Sequence, residues 1–502
     1  MLCVAVFGIG ISVIVSRYEQ QARAKVVEAL QKQFAVDVTL GSLHLSVFPA
    51  LRATGENLVV RLAGRTDLPP LIVAKRFVVK AALAGFLRHP NHIASVVLSG
   101  LEIHIPPKPD RPEHNGGASP KRSFVIDRIV ADGSLLEILP RDVKKNSLRF
   151  DLRKLDLSSA GSSSTGFHAE LINALPPGLI RTDGHLGAWV ADDPGGTAVS
   201  GEYTFRDADL GVFHGIKGTL SSDGKYQGEL SAIEVQGTTD VPDFVLDVAG
   251  NPVHLRTTFV ATVDGTNGDT DLHPAHAVLG NSAFEVSGSI ERGAVAQGKE
   301  IDLSAKSEKG SLQDYLRLAV KGNPPPMTGN LTFESQIRIP PGPEPVVEKL
   351  KLYGRFRADT VKFTSPDVKE KVADLSHRAE GEPKDHDPEV SGYLSGRFIL
   401  DHGTLSLPRL VFDVPGAKVN LDGTYTLAGG EIDFHGTARL DATVSEMTTG
   451  IKSLLLKPVD PLFKHDGAGA VVPIVISGTR GSPSFRLDIG RALRRLNKIT
   501  KY

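Results

Sequence analysis

One cysteine, one tryptophan and three methionines in 502 residues remove several readings at once. Cys3 has no second thiol to form a disulfide with, and no spaced set of cysteines exists to hold zinc. Charge of one sign is also missing, since 57 basic residues face 58 acidic ones and the net charge is -1. The electrostatic signature of a nucleic-acid partner is therefore absent. Catalytic signatures are missing as well: the chain has no G-x-S-x-G elbow, no G-x-x-x-x-G-K-[ST] loop and no H-E-x-x-H frame. The longest apolar run, Leu2 to Val15, is broken only by glycine and Ser12, and falls short of the ~20 residues a membrane-crossing helix needs. It reads either as the h-region of a signal peptide without a basic n-region or as a membrane anchor extending to Tyr18 with Arg17 snorkelling. The anchor is the preferred reading, although Arg17, Arg23 and Lys25 lie on the side that the positive-inside rule assigns to the cytoplasm.

What the chain has is glycine (51), proline (32) and an apolar fraction of 40%, the composition of many short strands and turns. After residue 36 the dominant period is two. In Val253 to Val263 one face carries Val253, Leu255, Thr257, Phe259, Ala261 and Val263, and the other His254, Arg256, Thr258, Val260 and Thr262. That is a strand dry on one side and wet on the other. Phe284, Phe333, Phe356, Phe434 and Leu440 stand at equivalent positions of similar runs. Six dipeptides, Asp132-Gly133, Asp183-Gly184, Asp223-Gly224, Asp264-Gly265, Asn267-Gly268 and Asp422-Gly423, read as hairpin turns. Helical spacing is expected over 19–34, 311–320, 366–378 and 445–456, the last with Met447, Ile451, Leu454 and Leu455 on one side. The fold class that follows is mainly β: a membrane helix, then an elongated antiparallel sheet with a few short helices, the curl of that sheet being what the family resemblance given below implies. Polar, proline-rich breaks near 106–121, 322–326, 340–345 and 380–388 divide it. The organisation is an anchor (1–18), an N-terminal region (19–105), a β-repeat body (122–322), a C-terminal β region (327–490) and a basic tail (491–502) with Arg491, Arg494, Arg495, Lys498 and Lys501.

Candidate chemistry is sparse. His89 and His92, and His273 and His276, have metal-compatible spacing without a supporting Glu, and loop histidines are the simpler reading. Asp264 to Asp271 is rich in oxygen ligands but lacks the twelve-residue calcium-loop pattern, so it reads as a hairpin turn with a calcium site as the alternative. A glycosidase-type carboxylate pair would be visible only in three dimensions. No catalytic residue, metal site or cofactor is expected.

Order along the chain adds a resemblance. A first apolar stretch leads through Val27 to Phe34 into Val36-Asp-Val-Thr-Leu-Gly-Ser-Leu-His-Leu-Ser-Val-Phe-Pro49, then Pro69 to Phe77 and Ile93 to Ile105. Near the other end stand Leu421 to Phe434 and Val472 to Phe485. These segments, roughly 2–105 and 390–490, resemble the AsmA-like family, the AsmA/TamB/YhdP-type proteins of Gram-negative envelopes. The resemblance implies a single-pass inner-membrane anchor, a periplasmic body forming a long β-groove, and a non-enzymatic role in moving phospholipid toward the outer membrane or assembling that membrane, with outer-membrane assembly proteins as further partners. The groove candidates are then Val253, Leu255, Phe259, Val263, Phe284, Phe333, Phe356, Phe434 and Leu440, with Gly288, Gly354, Gly423 and Gly436 expected to let acyl chains lie close to the backbone. Periodicity by itself leaves open that the same face is the closed core of a structural or scaffolding envelope protein.

Overall fold

The computed structural model describes residues 36–46, 51–62, 66–81, 92–106, 125–139, 147–160, 162–188, 190, 194–292, 298–382, 390–443, 446 and 469–487, with 23–24, 27–28 and 31. The expected anchor (1–18), the 445–456 helix apart from Glu446, and the basic tail lie outside the described residues. Among the described residues no helix is long and apolar enough to cross a membrane.

The chain is mainly β, a curled half-barrel sheet with few helices. In chain order the strands are β1 (Val36–Ser46), β2 (Leu51–Leu62), β3 (Ile72–Ala81), β4 (His92–Ile93), β5 (Ser95–Ile105), β6 (Val125–Ile138), β7 (Leu148–Ala160) and β8 (Thr165–Ala174). Next come β9 (Pro177–Leu186), β10 (Ala198–Asp209), β11 (Ile216–Lys217), β12 (Thr219–Glu229), β13 (Ala232–Leu246), β14 (Val253–Val263), β15 (Thr270–Leu279), β16 (Ser282–Arg292) and β17 (Lys299–Ser311). The series closes with β18 (Met327–Ile339), β19 (Lys351–Phe363), β20 (Gly392–Asp401), β21 (Thr404–Val414), β22 (Ala417–Thr426), β23 (Glu431–Leu440), β24 (Ala470–Thr479) and β25 (Ser482–Leu487). Helices α1 (Leu312–Ala319), α2 (Val346–Lys349) and α3 (Pro366–Ala379) interrupt the later strands. The periodicity over 311–320 and 366–378 thus corresponds to α1 and α3, whereas α2 directly follows the proline-rich break at 340–345. Arg23, Ala24, Val27, Glu28 and Gln31 of the expected first helix are helical.

Apart from the two-residue β4 and β11, each strand pairs with the next in sequence, and every such pair is antiparallel except β5 with β6. A parallel pair needs a crossover of a dozen residues or more. The proline-rich stretch after Pro106 supplies that length. Across this seam the His104 Nε2 lies 3.4 Å from Glu137, its register partner, while on the β3 side its Nδ1 donates to the Pro70 carbonyl at 2.8 Å.

Four of the six expected turn dipeptides are not turns. Asp132-Gly133, Asp183-Gly184, Asp223-Gly224 and Asp422-Gly423 lie inside β6, β9, β12 and β22, and only 264–269 is a turn. The reason is the alternation itself. In the last three pairs the aspartate points outward to a partner: Asp183 to His168 at 2.8 Å, Asp223 to Arg206, and Asp422 to the Arg409 amide at 2.8 Å. The glycine beside each of these three points inward beneath an aromatic ring, Phe167, Tyr203 and Phe434 respectively.

Candidate functional site

The register defines one continuous surface. Starting at Leu45, cross-strand partners run Ala53, Val79, Val96, Ile129, Leu157, Phe167, Gly184, Gly201, Tyr226, Val235 and Ala261. The same row continues through Leu272, Gly288, Leu303, Ile337, Leu352, Leu400, Leu405, Tyr425, Ile432 and Gly478. It crosses the sheet from edge to edge without a charged side chain. On the opposite face a parallel row reads Asp132, Lys154, Glu170, Arg181, Thr204, Asp223, Thr238, Thr258, His276, Glu285, Lys306, Glu334 and Arg355. Its charges alternate in sign, and neighbours pair: Arg181 with Glu170 at 3.5 Å, and Arg355 with Glu334 at 2.7 Å. The near-zero net charge of the chain reflects these ladders. A single layer of sheet with few helices on it can shield an apolar face of this size only by curling around it.

The ends of the apolar face are partly capped. Val27 packs against the β1–β3 end, on Leu40, Leu43 and Phe77. Tyr315 of α1 stacks edge-on against Phe284 and Phe333, with ring centroids 6.5 and 5.1 Å away. Burial pushes the Tyr315 phenol up to about 12, Ser307 opposing the shift from outside hydrogen-bonding geometry. Helix α1 is fixed by Asp314, which accepts from the Ser282 hydroxyl at 2.8 Å and the Asn281 amide at 2.9 Å. Helix α3 covers the face of β21–β24 through Val372, Leu375 and Ala379. A clasp also joins strands far apart in the sheet: the Val346 amide donates to the His214 carbonyl at 2.8 Å, and Val248 packs with Val347, Leu400 and Leu427.

The nine groove candidates all lie on the apolar face, in different settings. Phe333 and Phe356 are direct register partners on β18 and β19. Leu255, Phe259 and Val263 share β14 with Val253, and Phe284 lies two strands away on β16. These residues, Val253 apart, are half-buried. Val253, Phe434 and Leu440 are buried, at 4%, 8% and 1% exposure, and the last two belong to the core beneath α3. The glycines are not open floor. A Cβ on Gly354 would meet Phe398 Cζ at 2.8 Å, on Gly288 the Leu303 Cα at 2.8 Å, and on Gly436 the Leu421 Cα at 2.9 Å. Neighbouring rings and backbone occupy the space that the sequence reading reserved for acyl chains.

The chemical alternatives fare as follows. His273 bonds the Thr262 hydroxyl at 3.1 Å, while His89 and the His92 side chain lie outside the described residues. The Asp264 carboxylate accepts from the Thr266 amide at 2.8 Å, shaping its own turn. Among the described residues no three His, Cys, Asp or Glu groups converge on a metal position. Two features were missed from sequence. One is a depression of about 720 Å³ on the hydrophilic side, where Tyr353 and Ile399 lie exposed as cross-strand partners. The other is a run of hydroxyls on the apolar face of β9–β13, at Thr182, Tyr203, Ser222, Tyr226 and Thr239. Period two places these on the face, but polar residues at apolar positions read only as noise in the pattern.

No family model, curated protein or solved structure matches the chain. The functional reading therefore rests on the geometry of this face and on the order of sequence motifs.

Proposed function

We propose that the chain is a non-catalytic, membrane-anchored envelope protein of AsmA-like type whose curled apolar face carries phospholipid acyl chains, with its body in the periplasm. The observation that supports this is the apolar row from Leu45 to Gly478, which crosses every long strand before β25 on the face that also carries half-buried Phe259, Phe284, Phe333 and Phe356. Acyl chains need a continuous dry surface, and such surface left uncovered is costly in water at roughly 25 cal/mol per Å². The paired charges of the opposite face keep the exterior solvated without attracting ions of one sign. Transport toward the outer membrane, and contact with proteins that assemble it, belong to the same proposal.

The C-terminal strands favour a second role for part of the sheet. Beneath α3 the face contributes ten buried residues, including Leu421, Phe434 and Leu440, to a core that Ala379 of α3 completes, and this part acts as scaffold. Native mass spectrometry of the full chain, extracted gently from membranes, tests the whole proposal. Bound phospholipid is expected, and Phe259→Glu with Phe333→Glu should remove it while far-ultraviolet circular dichroism stays unchanged. No bound lipid, together with unfolding of that double variant, would establish the closed-core alternative.

A further inference from the structure

The apolar face is not uniform. Hydroxyls gather in the middle of it, on β9, β10, β12 and β13, and their hydrogen-bond directions can be worked out. Thr182 donates its Oγ1 proton to the Glu202 carbonyl at 2.9 Å, so in the 2.6 Å contact between Thr182 and Tyr226 the tyrosine is the donor. Ser222 donates to the Thr238 carbonyl at 2.8 Å, so Tyr203 is the donor in its 3.0 Å contact with Ser222. Both phenol protons are thus committed within the wall, and each phenol oxygen keeps acceptor lone pairs. Burial raises both phenol pKa values, so both groups stay neutral.

The rings themselves lie over glycine backbone. A Cβ on Gly224 would lie 2.7 Å from Tyr203 Cε1, and one on Gly201 would lie 2.8 Å from Tyr226 Cζ. Each ring also carries an electron-rich π face. Two acceptor oxygens and two π faces, half-buried among apolar neighbours, form a patch with no free donor on its tyrosines. Such a patch repels phosphate and attracts a cation that also donates hydrogen bonds.

Resting on the acyl-chain reading above, we infer that the Tyr203–Tyr226 belt seats the primary ammonium head group of an amphiphile whose chains lie on the aliphatic stretches to either side. The ligand class is then a zwitterionic amine lipid rather than an anionic one. A lipid moving along the face would pause here, because elsewhere the face offers few acceptors.

The test offers the full chain mixed micelles containing equal amounts of dioleoyl phosphatidylethanolamine and dioleoyl phosphatidylglycerol and counts the lipids retained by native mass spectrometry. Wild type is expected to retain the amine lipid in excess by about fivefold, less than the full effect of one hydrogen bond from a charged donor. Tyr203→Phe with Tyr226→Phe, which keeps the rings, should cut that excess to about twofold, and Tyr203→Leu with Tyr226→Leu should abolish it, with total lipid unchanged in both. Lipid retained without head-group preference by wild type, or a preference untouched by both pairs, overturns the belt and leaves the acyl-chain reading standing. No lipid retained by wild type removes both.

Discussion

At the scale of single residues the two faces of the sheet should respond in opposite ways. Asp183 and Gly184 are adjacent in sequence and stand on opposite faces. The Asp183 side chain is 75% exposed, so Asp183→Asn should change stability by less than about 1 kcal/mol despite its bond to His168. Gly184→Ala puts a Cβ 2.8 Å from Phe167 Cζ and should cost about 1–3 kcal/mol in a urea titration. The pair also shows what a sequence conceals. Asp-Gly reads as a turn when judged locally, and only the register shows that the aspartate feeds an outer ladder while the glycine makes room for a ring. Acid sensitivity follows the outer ladders. The Arg128 hydrogen bond lowers the Asp156 pKa below its ordinary 3.8. Its contribution is complete above that value and is lost as pH falls through the depressed folded-state pKa. Asp156→Asn should accordingly lower the melting temperature slightly at neutral pH and flatten its fall below about pH 4, so that the variant and wild-type curves converge in acid.

Helices and turns decide how the curl is held. Asp314 is 3% exposed and accepts from Ser282, which is fully buried. Asp314→Ala leaves a hydroxyl and an amide without their acceptor and should cost about 2–4 kcal/mol, read as a lower urea midpoint. The clasp predicts a different signature. Val347 is 6% exposed and meets Val248 from a distant part of the sheet. Val347→Ala should cost about 2 kcal/mol and raise hydrogen exchange at the 210–218 and 340–350 turns more than in β14–β17. The helices α1 and α3 were legible because their apolar spacing departs from period two. Helix α2 was hidden by the prolines before it, and its four residues are too few to show a period. The clasp and the parallel β5–β6 seam were invisible for a common reason. Each is a contact between segments that sequence order holds apart, and local pattern carries no record of which way a strand returns.

For the molecule as a whole, period two carried most of the information. It assigned the strands and placed the nine candidate residues on one face, because a strand that alternates must turn one side inward wherever it pairs. Pattern could not show which stretches of that face are roofed over. Phe434 and Leu440 look like Phe259 in sequence, yet they are buried beneath α3, whereas Phe259 is half-buried. Among the described residues the 23 long strands give roughly 105 Å along the curved course of the sheet at ~4.8 Å per strand, and curling makes the straight-line reach shorter still. Site-specific photocrosslinking in living cells tests the central claim most directly. A photoreactive residue replacing Phe259 or Phe356 on the apolar face should capture phospholipid, and one replacing Arg256 or Arg357 on the ladder face should not. Capture from both faces equally, or from neither, would contradict an apolar face that carries lipid.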